Sequence, residues 1–328
     1  MRLTIPVELP KRELEISYAT RQMILGSCFA ENIGKRLLAS KFPVELNPFG
    51  ILYNPLSIAA ALNRIADRDC FSDDSPELVF HNELWHSMLH HGDFSRRSKN
   101  ELVAAVNQSI ENAADALDGL DLLTLTFGTA YVYRRAGDDM VVGNCHKLPS
   151  SCFTRSLLAV DEAVAAMKAV FEKLFRRNDA LKILLTVSPI RHVKDGLHGN
   201  QVSKAVLLLV VEELRRLFPG RVFYFPAYEI VLDELRDYRF YAEDMIHPSQ
   251  QAVGYVWECF KECYFDSETE KLLAMVEEIA RGVAHRPFDT ESQAHRDFKS
   301  KLLLKIEGIK EKYPFFDFSK EIEQCRTR

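Results

Sequence analysis

Four nearly continuous apolar runs mark the first three quarters of the chain. Each lacks the alternation of apolar and polar residues that is typical of a strand with one face in water, so strands buried on both faces are predicted. Segments with the period of a helix lie between them, and strands alternating with helices predict a parallel sheet covered on both sides. The apolar runs are QMILGS (22–27), DLLTLTFGTAYVY (121–133), KILLTVSPIR (182–191) and RVFYFPAYEIV (221–231), and the helical segments are 30–39, 100–117, 160–176 and 200–217.

Two regions depart from this alternation. Residues 67–99 are polar, irregular and rich in histidine, which predicts an insertion or long loop over the sheet, and long loops in compact domains are often functional. After about residue 266 the period becomes purely helical, and two amphipathic helices are predicted. We therefore expect a main domain at 1–265 and a helical C-terminal extension at 266–328 that forms an appendage or a homo-oligomer contact. The apolar positions of the two helices are Leu272, Met275, Val276, Ile279 and Val283, then Leu302, Leu303, Ile306 and Ile309.

Composition and charge narrow the classes of partner. The 328 residues are 47% hydrophobic, enough for a sizeable core, and the formal net charge of −5 comes without a long basic run, so neither nucleic acid nor an anionic membrane is expected as a partner. Pro6, Pro10 and several charges interrupt the N-terminal segment, which therefore lacks the apolar core of a signal peptide, and a cytoplasmic location is predicted. The seven cysteines are odd in number and form no C-x-x-C pair, as in a protein with reduced thiols.

A strand-to-helix turn in MILGSCFAENIGKRLL (23–38) is the first candidate for chemistry. Gly26 permits a tight turn, and a helix that starts beyond the carboxyl end of a parallel strand directs its free N–H groups at a bound ligand. A thiolate on Cys28 would be stabilised at that helix N-terminus. Alternatively, Ser27 caps the helix and Cys28 packs as a small apolar residue.

A second candidate lies in RFYAEDMIHPSQQAVGYVWECF (239–260), where Asp244 precedes His247 by three residues. In a turn, the carboxylate can accept a hydrogen bond from Nδ1–H of the imidazole and leave Nε2 free to take a proton from a nucleophile. Alternatively, Asp244 caps the following helix and His247 is an ordinary surface residue. A nucleophile turn at the first strand makes the catalytic interpretation stronger.

Four segments carry a family resemblance, namely GSCFA (26–30), NCHKLP (144–149), SPIRH (188–192) and DELRDYRFYAEDMIHPS (233–249). Over about residues 20–262 the chain resembles the GSCFA-domain family, within the SGNH (GDSL-like) hydrolase superfamily. This resemblance implies a three-layer α/β/α sandwich with a mainly parallel, flavodoxin-like sheet. It also implies a nucleophile at the first turn that works with a D-x-x-H pair, which corresponds to Asp244 and His247.

The nucleophile and the oxyanion donors correspond to the superfamily scheme less directly. Superfamily members have G-D-S at the turn, so a gapless overlay places Cys28 at the reactive position, with Ser27 as the alternative. The resemblance assigns one oxyanion donor to a glycine after the second strand, where Gly50 fits. Another comes from the Asn of a G-x-N-D motif, and here Ala130 stands at that position. Loss of one such donor costs about 100- to 1000-fold in rate. In FGTAYVY, Gly128 and Thr129 align with this motif, and Asn54 and Asn144 are candidates to replace the missing donor.

Further polar residues are candidates to line the substrate pocket. Arg191 and His192 follow a buried strand, and Arg191 could hold a carboxylate or phosphate, steady an oxyanion, or instead pair with Asp237 or Glu243. His146 and Asn144 either line the pocket or belong to an ordinary polar loop.

The histidine-rich insertion raises two other expectations. Trp85 and His86 are expected to form part of a lid or substrate wall. No metal and no cofactor are expected, because His86 and His90 lack a carboxylate third ligand and Cys145 with His146 lacks a matching pair of ligands.

These candidates together predict an acyl hydrolase (esterase or deacylase) or acyltransferase that acts on a small-molecule acyl substrate. Carbohydrate acyl groups are one candidate by superfamily analogy. In this hypothesis Cys28 attacks the carbonyl, His247 transfers the proton, Asp244 orients His247 and Gly50 N–H helps to hold the oxyanion. The alternative is a ligand-binding protein that has kept the fold with little or no catalysis, which the absence of Asn at Ala130 would permit.

Overall fold

The structure, a computed structural model, describes residues 4–11, 13–289 and 292–326. The strands within these ranges are β1 (Gln22–Gly26), β2 (Val44–Leu46), β3 (Leu78–His81), β4 (Leu84–Ser87), β5 (Leu122–Phe127), β6 (Tyr131–Arg135), β7 (Val141–Val142), β8 (Phe153–Leu157), β9 (Lys182–Val187) and β10 (Val222–Tyr224). The helices there are α1 (Cys28–Ala39), α2 (Pro55–Asp67), α3 (Lys99–Leu117), α4 (Val160–Arg177), α5 (Gly196–Leu217), α6 (Ala227–Glu229), α7 (Gln250–Tyr264), α8 (Ser267–Ala284), α9 (Gln293–Lys312) and α10 (Ser319–Arg326).

A parallel sheet of five described strands, in the order β10-β9-β5-β1-β2, forms the centre of the molecule. Numbered by their own sequence order from the other edge, these strands run 2-1-3-4-5, the flavodoxin-like arrangement. Gly26 pairs with Thr126, and Thr126 with Thr186, so the carboxyl ends of β1, β5 and β9 lie side by side. The predicted three-layer α/β/α fold is confirmed.

Helices cover both faces of the sheet, as the packing of alternate residues of β1 shows. Met23 and Leu25 pack into one apolar cluster with α2, α3, α4 and α5, whereas Ile24 packs into a second cluster with α1, α7 and the C-terminal helices. All five residues of β1 are buried. The continuous apolar character of this run follows from burial on both faces.

Two apolar runs form shorter strands than their patterns suggest. The run at 121–133 divides, because the backbone N–H groups of Gly128 and Thr129 both donate to the Tyr53 carbonyl and take the chain out of the parallel sheet. The following strand β6 joins a separate antiparallel sheet, ordered β7-β6-β8. In the run at 221–231, β10 ends before Pro226, which has no N–H to donate, and the chain turns into α6.

The region at 67–99 contains a β-hairpin as well as irregular chain. Strands β3 and β4 are antiparallel, and Asn82 and Glu83 between them have φ values of 47° and 62°, as a two-residue hairpin turn with right-handed strand twist requires. The helix α2 leads into this region, and Asn54 caps its N-terminus.

The two amphipathic C-terminal helices are confirmed as α8 and α9, and α10 follows them. Leu272, Ile279 and Ile306 are buried in the same cluster as Phe29 of α1 and Trp257 of α7. The extension therefore shares a core with the preceding chain. The boundary at residue 265 and a homo-oligomer contact through these helices stay predictions. No helix in the described part of the chain combines the length and apolar character needed to cross a membrane.

Candidate active site

A cavity of about 600 Å³ opens at the carboxyl ends of β1, β5 and β9. Strand order reverses between β1 and β5, and ligands of open parallel sheets bind at such a switch point. The segment that follows each of these strands lines the cavity, and so does the turn before α7. From these four segments come Cys28, Thr129, His192 and His247.

The turn at Gly26 places the first candidate residues at the cavity. Gly26 has a φ of +146°, and a Cβ there would lie 2.4 Å from the carbonyl oxygen of Thr126 in the neighbouring strand, so glycine is required. Ser27 is buried and its hydroxyl accepts a hydrogen bond from Phe29 N–H at 3.3 Å. Ser27 thus caps α1 while also lining the cavity.

Cys28 is the first residue of α1 and is half-buried at the cavity wall. Its sulfur lies 3.6 Å from the hydroxyl oxygen of Tyr53. Among the residues that the structure describes, no acceptor pairs with the backbone N–H of Cys28, as expected in the first turn of a helix. The thiol therefore lies beside an unpaired backbone donor and a phenolic hydroxyl.

Asp244 and His247 form the predicted pair. Oδ2 of Asp244 is 2.6 Å from Nδ1 of His247, and Oδ1 accepts hydrogen bonds from the backbone N–H groups of Ile246 and His247 at 2.9 and 3.0 Å. The bonds from the His247 N–H and ring, then that from Ile246, lower the pKa of Asp244 to about 2. The carboxylate thus stays ionised and favours the tautomer with a proton on Nδ1 and a free Nε2. The cap of α7 is Ser249, which removes the helix-cap interpretation of Asp244.

His192 and Arg191 also line the cavity. The ring of His192 meets that of Tyr53 edge-on at 5.7 Å, and burial, with the nearby charges of Lys204, Arg155 and His247, lowers the pKa of His192 to about 4. His192 is therefore neutral at pH 7. The Arg191 guanidinium lies 4.3 Å from the centre of the Tyr241 ring. Neither of its two proposed acidic partners forms an ion pair with it within the described chain.

The two asparagines proposed as oxyanion donors both line the cavity but differ in freedom. The amide of Asn54 caps α2: its oxygen accepts from Ser57 N–H at 2.9 Å and its nitrogen donates to Ser57 Oγ at 3.0 Å. Asn144 uses only its amide oxygen, which accepts from His146 N–H at 2.9 Å. Its Nδ2 group has no acceptor among the described residues, so Asn144 is the asparagine that can donate to a ligand.

Neither of the two glycines proposed near the oxyanion provides a free N–H. The N–H of Gly50 donates to the Asn47 carbonyl at 2.6 Å, and Gly50 packs against His91 outside the cavity lining. The N–H of Gly128 donates to the Tyr53 carbonyl at 2.7 Å. The expectation that Gly50 N–H faces the substrate is therefore wrong, and Gly128 does not line the cavity either.

Trp85, His86 and His146 also lie away from the cavity, contrary to expectation. The ring nitrogens of His86 are bonded to Ser95 Oγ at 2.6 Å and to the His81 carbonyl at 3.0 Å, and the ring stacks on His146. His146 in turn contacts the Ser87 carbonyl through Nε2 at 2.8 Å. Hydrogen bonds within and around the β3–β4 hairpin thus occupy both imidazoles, and the Trp85 ring packs against that of Phe80. The interpretation of Trp85 and His86 as part of a lid or substrate wall is wrong. No group of three metal-ligating side chains occurs in the described ranges of the chain.

Several cavity residues were missed in the sequence. Tyr131 and Tyr133 alternate on β6 and so share one face, and the guanidinium of Arg155 lies 3.9 Å from the centre of the Tyr131 ring. The period-2 pair of tyrosines just after the Gly128 strand was the available signal. Tyr53 had no such signal, because its place beside Cys28 depends on the path of the loop after β2. The other missed polar lining residues are Cys145, Lys147, Ser150, Ser188, Lys194 and Asp195.

Lys204 supports the cavity floor without lining it. Its ammonium group is fully buried and donates to the carbonyls of Gly128 and Ser188, both at 2.6 Å, so it joins the ends of β5 and β9. Burial lowers the pKa of Lys204 to about 7. Beside it, the Ser203 hydroxyl accepts the N–H of Ala130 at 2.7 Å.

Comparisons with known proteins show a family and a distant structural likeness. No curated protein matches the chain. A crystal structure of a carbohydrate esterase family 3 protein from Talaromyces cellulolyticus is similar at 8% identity and a TM-score of 0.35, covering 79% of this chain and 99% of that one. That score is too low to inform on activity.

The family match rests on the sequence itself. Residues 21–260 match the GSCFA family, and residues 276–328 match the C-terminal domain of GSCFA domain proteins. The first match alone spans more than half of the chain and includes both the Gly26 turn and the Asp244–His247 pair. The chain belongs to the GSCFA family.

Proposed function

We propose that the protein is an SGNH-like acyl hydrolase or acyltransferase with Cys28 as its nucleophile. The observation that carries this proposal is that Cys28, at a helix N-terminus, and His247, oriented by Asp244 at 2.6 Å, line one cavity. A nucleophile, a base and a group that orients the base are the parts of a catalytic triad, whatever the fold.

The reaction would proceed through a thioester. His247 Nε2 takes the thiol proton as Sγ of Cys28 bonds to the carbonyl carbon of an ester or thioester. The tetrahedral intermediate then collapses, the bond to the leaving group breaks, and the leaving group takes the proton from His247. Water or an acceptor hydroxyl, activated by the same imidazole, attacks the acyl-Cys28 thioester and regenerates the thiol.

The oxyanion would be held by Cys28 N–H, the hydroxyl of Tyr53 and Nδ2 of Asn144. Tyr53 lies 3.6 Å from the nucleophilic sulfur, and burial together with the neighbouring thiol raises the pKa of Tyr53, so its hydroxyl stays protonated and can donate. In this proposal Tyr53 does what an asparagine at the Ala130 position does elsewhere in the SGNH superfamily.

A binding protein without turnover is the second candidate. It is favoured by the engagement of both Gly50 and Gly128 N–H groups in backbone hydrogen bonds and by the absence of a polar side chain at Ala130. A ligand would then occupy the same cavity, and Cys28 would not become acylated.

Acyl-enzyme trapping separates the two candidates. The full chain is incubated with p-nitrophenyl acetate and an acetyl thioester, and intact mass and peptide mapping then locate any acetyl group. The enzyme proposal predicts one adduct, on Cys28, which Cys28→Ala removes and His247→Ala slows about 100-fold or more. Ser27→Ala and Cys145→Ala, a second thiol in the same cavity, are the matched controls and keep the adduct. Absence of an adduct, or an adduct on Ser27, contradicts the assignment of Cys28.

A further inference from the structure

The cavity beside Cys28 is positively charged in a negatively charged protein. Its lining carries four basic side chains and one acidic side chain, a difference of three positive charges, whereas the whole chain has a formal net charge of −5. The basic residues are Lys147, Arg155, Arg191 and Lys194, and the acidic one is Asp195. Segregation of charge against the sign of the whole molecule indicates a local function.

The acidic residue is already used within the wall. Asp195, whose side chain is only 2% exposed, forms an ion pair with Arg155, and Arg155 also lies over the ring of Tyr131. This pair is neutral overall. Three basic groups of the lining then remain without a carboxylate partner in the part of the chain that the structure describes.

The charges of the three remaining basic groups stay uncompensated. Arg191 lies over the Tyr241 ring, and Lys194 donates to the hydroxyl of Tyr133 at 3.2 Å. Lys147 has no hydrogen bond or ion pair within the described residues and is exposed at the cavity wall. A pocket whose walls exclude water strengthens the field of such charges.

Arg191 also places this charge close to the proposed chemistry. It directly precedes His192, and its backbone N–H donates to the carbonyl of Ile246, at 3.5 Å, in the turn that carries Asp244 and His247. A guanidinium can form two parallel hydrogen bonds to a carboxylate or a phosphate. An anionic group bound there would lie within the same cavity as the Cys28 sulfur.

We propose that this cavity selects an anionic acyl substrate, with a carboxylate or phosphate group held by Arg191, Lys194 and Lys147 while the acyl carbon faces Cys28. That the bound anion is an acyl substrate rests on the proposed function. The anion site itself exists whether or not Cys28 turns over an ester.

Alkylation of Cys28 by two nearly isosteric reagents tests the site without any turnover. Iodoacetate carries a carboxylate where iodoacetamide carries a neutral amide. The rates are measured by mass spectrometry on the peptide that contains Cys28, in the Cys145→Ala background. The rate with iodoacetate is divided by the rate with iodoacetamide, and this ratio is normalised to the same ratio for the free thiol mercaptoethanol. We expect a normalised ratio of about ten or more that falls as salt is added.

Charge variants locate the effect. Arg191→Gln, Lys194→Gln and Lys147→Gln should each lower the normalised ratio about two- to tenfold. Lys271→Gln, on the exposed side of α8, removes the same charge from the protein and should leave the ratio unchanged. A normalised ratio near one, or equal effects of Lys271→Gln and the cavity variants, overturns the proposal.

Calorimetric titration gives a second readout that does not need a reactive thiol, and it separates the two anion classes. Phenyl phosphate, benzoate and neutral benzyl alcohol are titrated into the native chain and into Arg191→Gln. Tighter binding of phenyl phosphate identifies a phosphate site and tighter binding of benzoate a carboxylate site, each weakened about tenfold by Arg191→Gln. Equal or absent binding of all three contradicts the proposal. Acylation of Cys28 by neutral esters would persist in that case, so the two proposals fail separately.

Discussion

Tyr53 brings a phenolic hydroxyl to within 3.6 Å of the Cys28 sulfur, and in the proposed function this hydroxyl supplies the oxyanion donor that the side chain of Ala130 cannot supply. Removal of that hydroxyl alone, in Tyr53→Phe, should lower kcat/KM for a p-nitrophenyl ester about 100- to 1000-fold, because one donor to the developing charge is lost. The loss should lie in kcat, since a donor that acts on the transition state contributes little to ground-state binding.

Two controls make the Tyr53 result specific. Tyr133→Phe removes a hydroxyl from the same cavity but from a different wall, and should change kcat less than about fivefold. Alkylation of Cys28 by iodoacetamide, which forms no oxyanion, should proceed in Tyr53→Phe at nearly the native rate. A variant that loses alkylation and ester turnover in parallel would show that Tyr53 positions the thiol and does not stabilise the oxyanion.

Elements with a regular pattern of apolar residues were predictable from the sequence, and contacts between distant loops were not. The continuous apolar run of β1 requires two covered faces, and the Gly26 turn with the D-x-x-H spacing of Asp244 and His247 obeys local rules. Whether the N–H groups of Gly50 and Gly128 are free to bind a ligand depends instead on which carbonyl comes near them. No local pattern in the chain specifies that the Tyr53 carbonyl meets β5 at its end.

The β3–β4 hairpin shows the same limit for its histidines. A histidine-rich segment suggested a lid or substrate wall, yet these rings are used in packing. His90 is fully buried, stacks on Phe49 at 4.1 Å and contacts the Ser87 hydroxyl through Nδ1 at 2.8 Å. Sequence composition indicates that such rings are present but not whether they face a cavity or a core.

Buried histidines in this region should make stability depend on pH. Burial lowers the pKa of His90 to about 3, with smaller effects of Arg64 and His146, and lowers that of His146 to about 4. The pKa of a histidine in the unfolded chain is about 6.5, so below that pH the unfolded chain binds protons that the folded chain does not. The free energy of unfolding should therefore fall by several kcal/mol, roughly, between pH 7 and pH 4.

His90→Asn tests this origin of the pH dependence. The amide can keep the hydrogen bond to Ser87 but does not titrate, so urea unfolding should show a smaller loss of stability from pH 7 to pH 4 than in the native chain, even if the variant is less stable throughout. His198→Gln, at an exposed position, should leave the slope with pH unchanged. Equal slopes in all three proteins would mean that other groups cause the acid sensitivity.

At the scale of the whole molecule, the C-terminal helices complete the core that supports the Gly26 turn. Phe29 of α1 lies in the same apolar cluster as Ile306 of α9 and Trp257 of α7. An appendage with its own core would unfold separately from the sheet. A shared core predicts one cooperative transition instead, in which loss of packing at α9 destabilises the cavity some distance along the chain.

Ile306→Ala decides between these two behaviours. Ile306 is fully buried, so the truncation should cost about 2 to 5 kcal/mol, and the whole transition in urea should shift as one. Leu304→Ala, on the same helix but 66% exposed, should cost less than about 0.5 kcal/mol. Far-ultraviolet circular dichroism reports the helices, and the ratio of the Cys28 alkylation rates with iodoacetate and iodoacetamide reports the folded cavity. Coincident midpoints from the two probes, both lowered by Ile306→Ala, are expected because α9 and the turn share one core. If the dichroism midpoint falls while the alkylation ratio keeps its native midpoint, residues 266–328 are an independent unit and the shared-core interpretation is wrong.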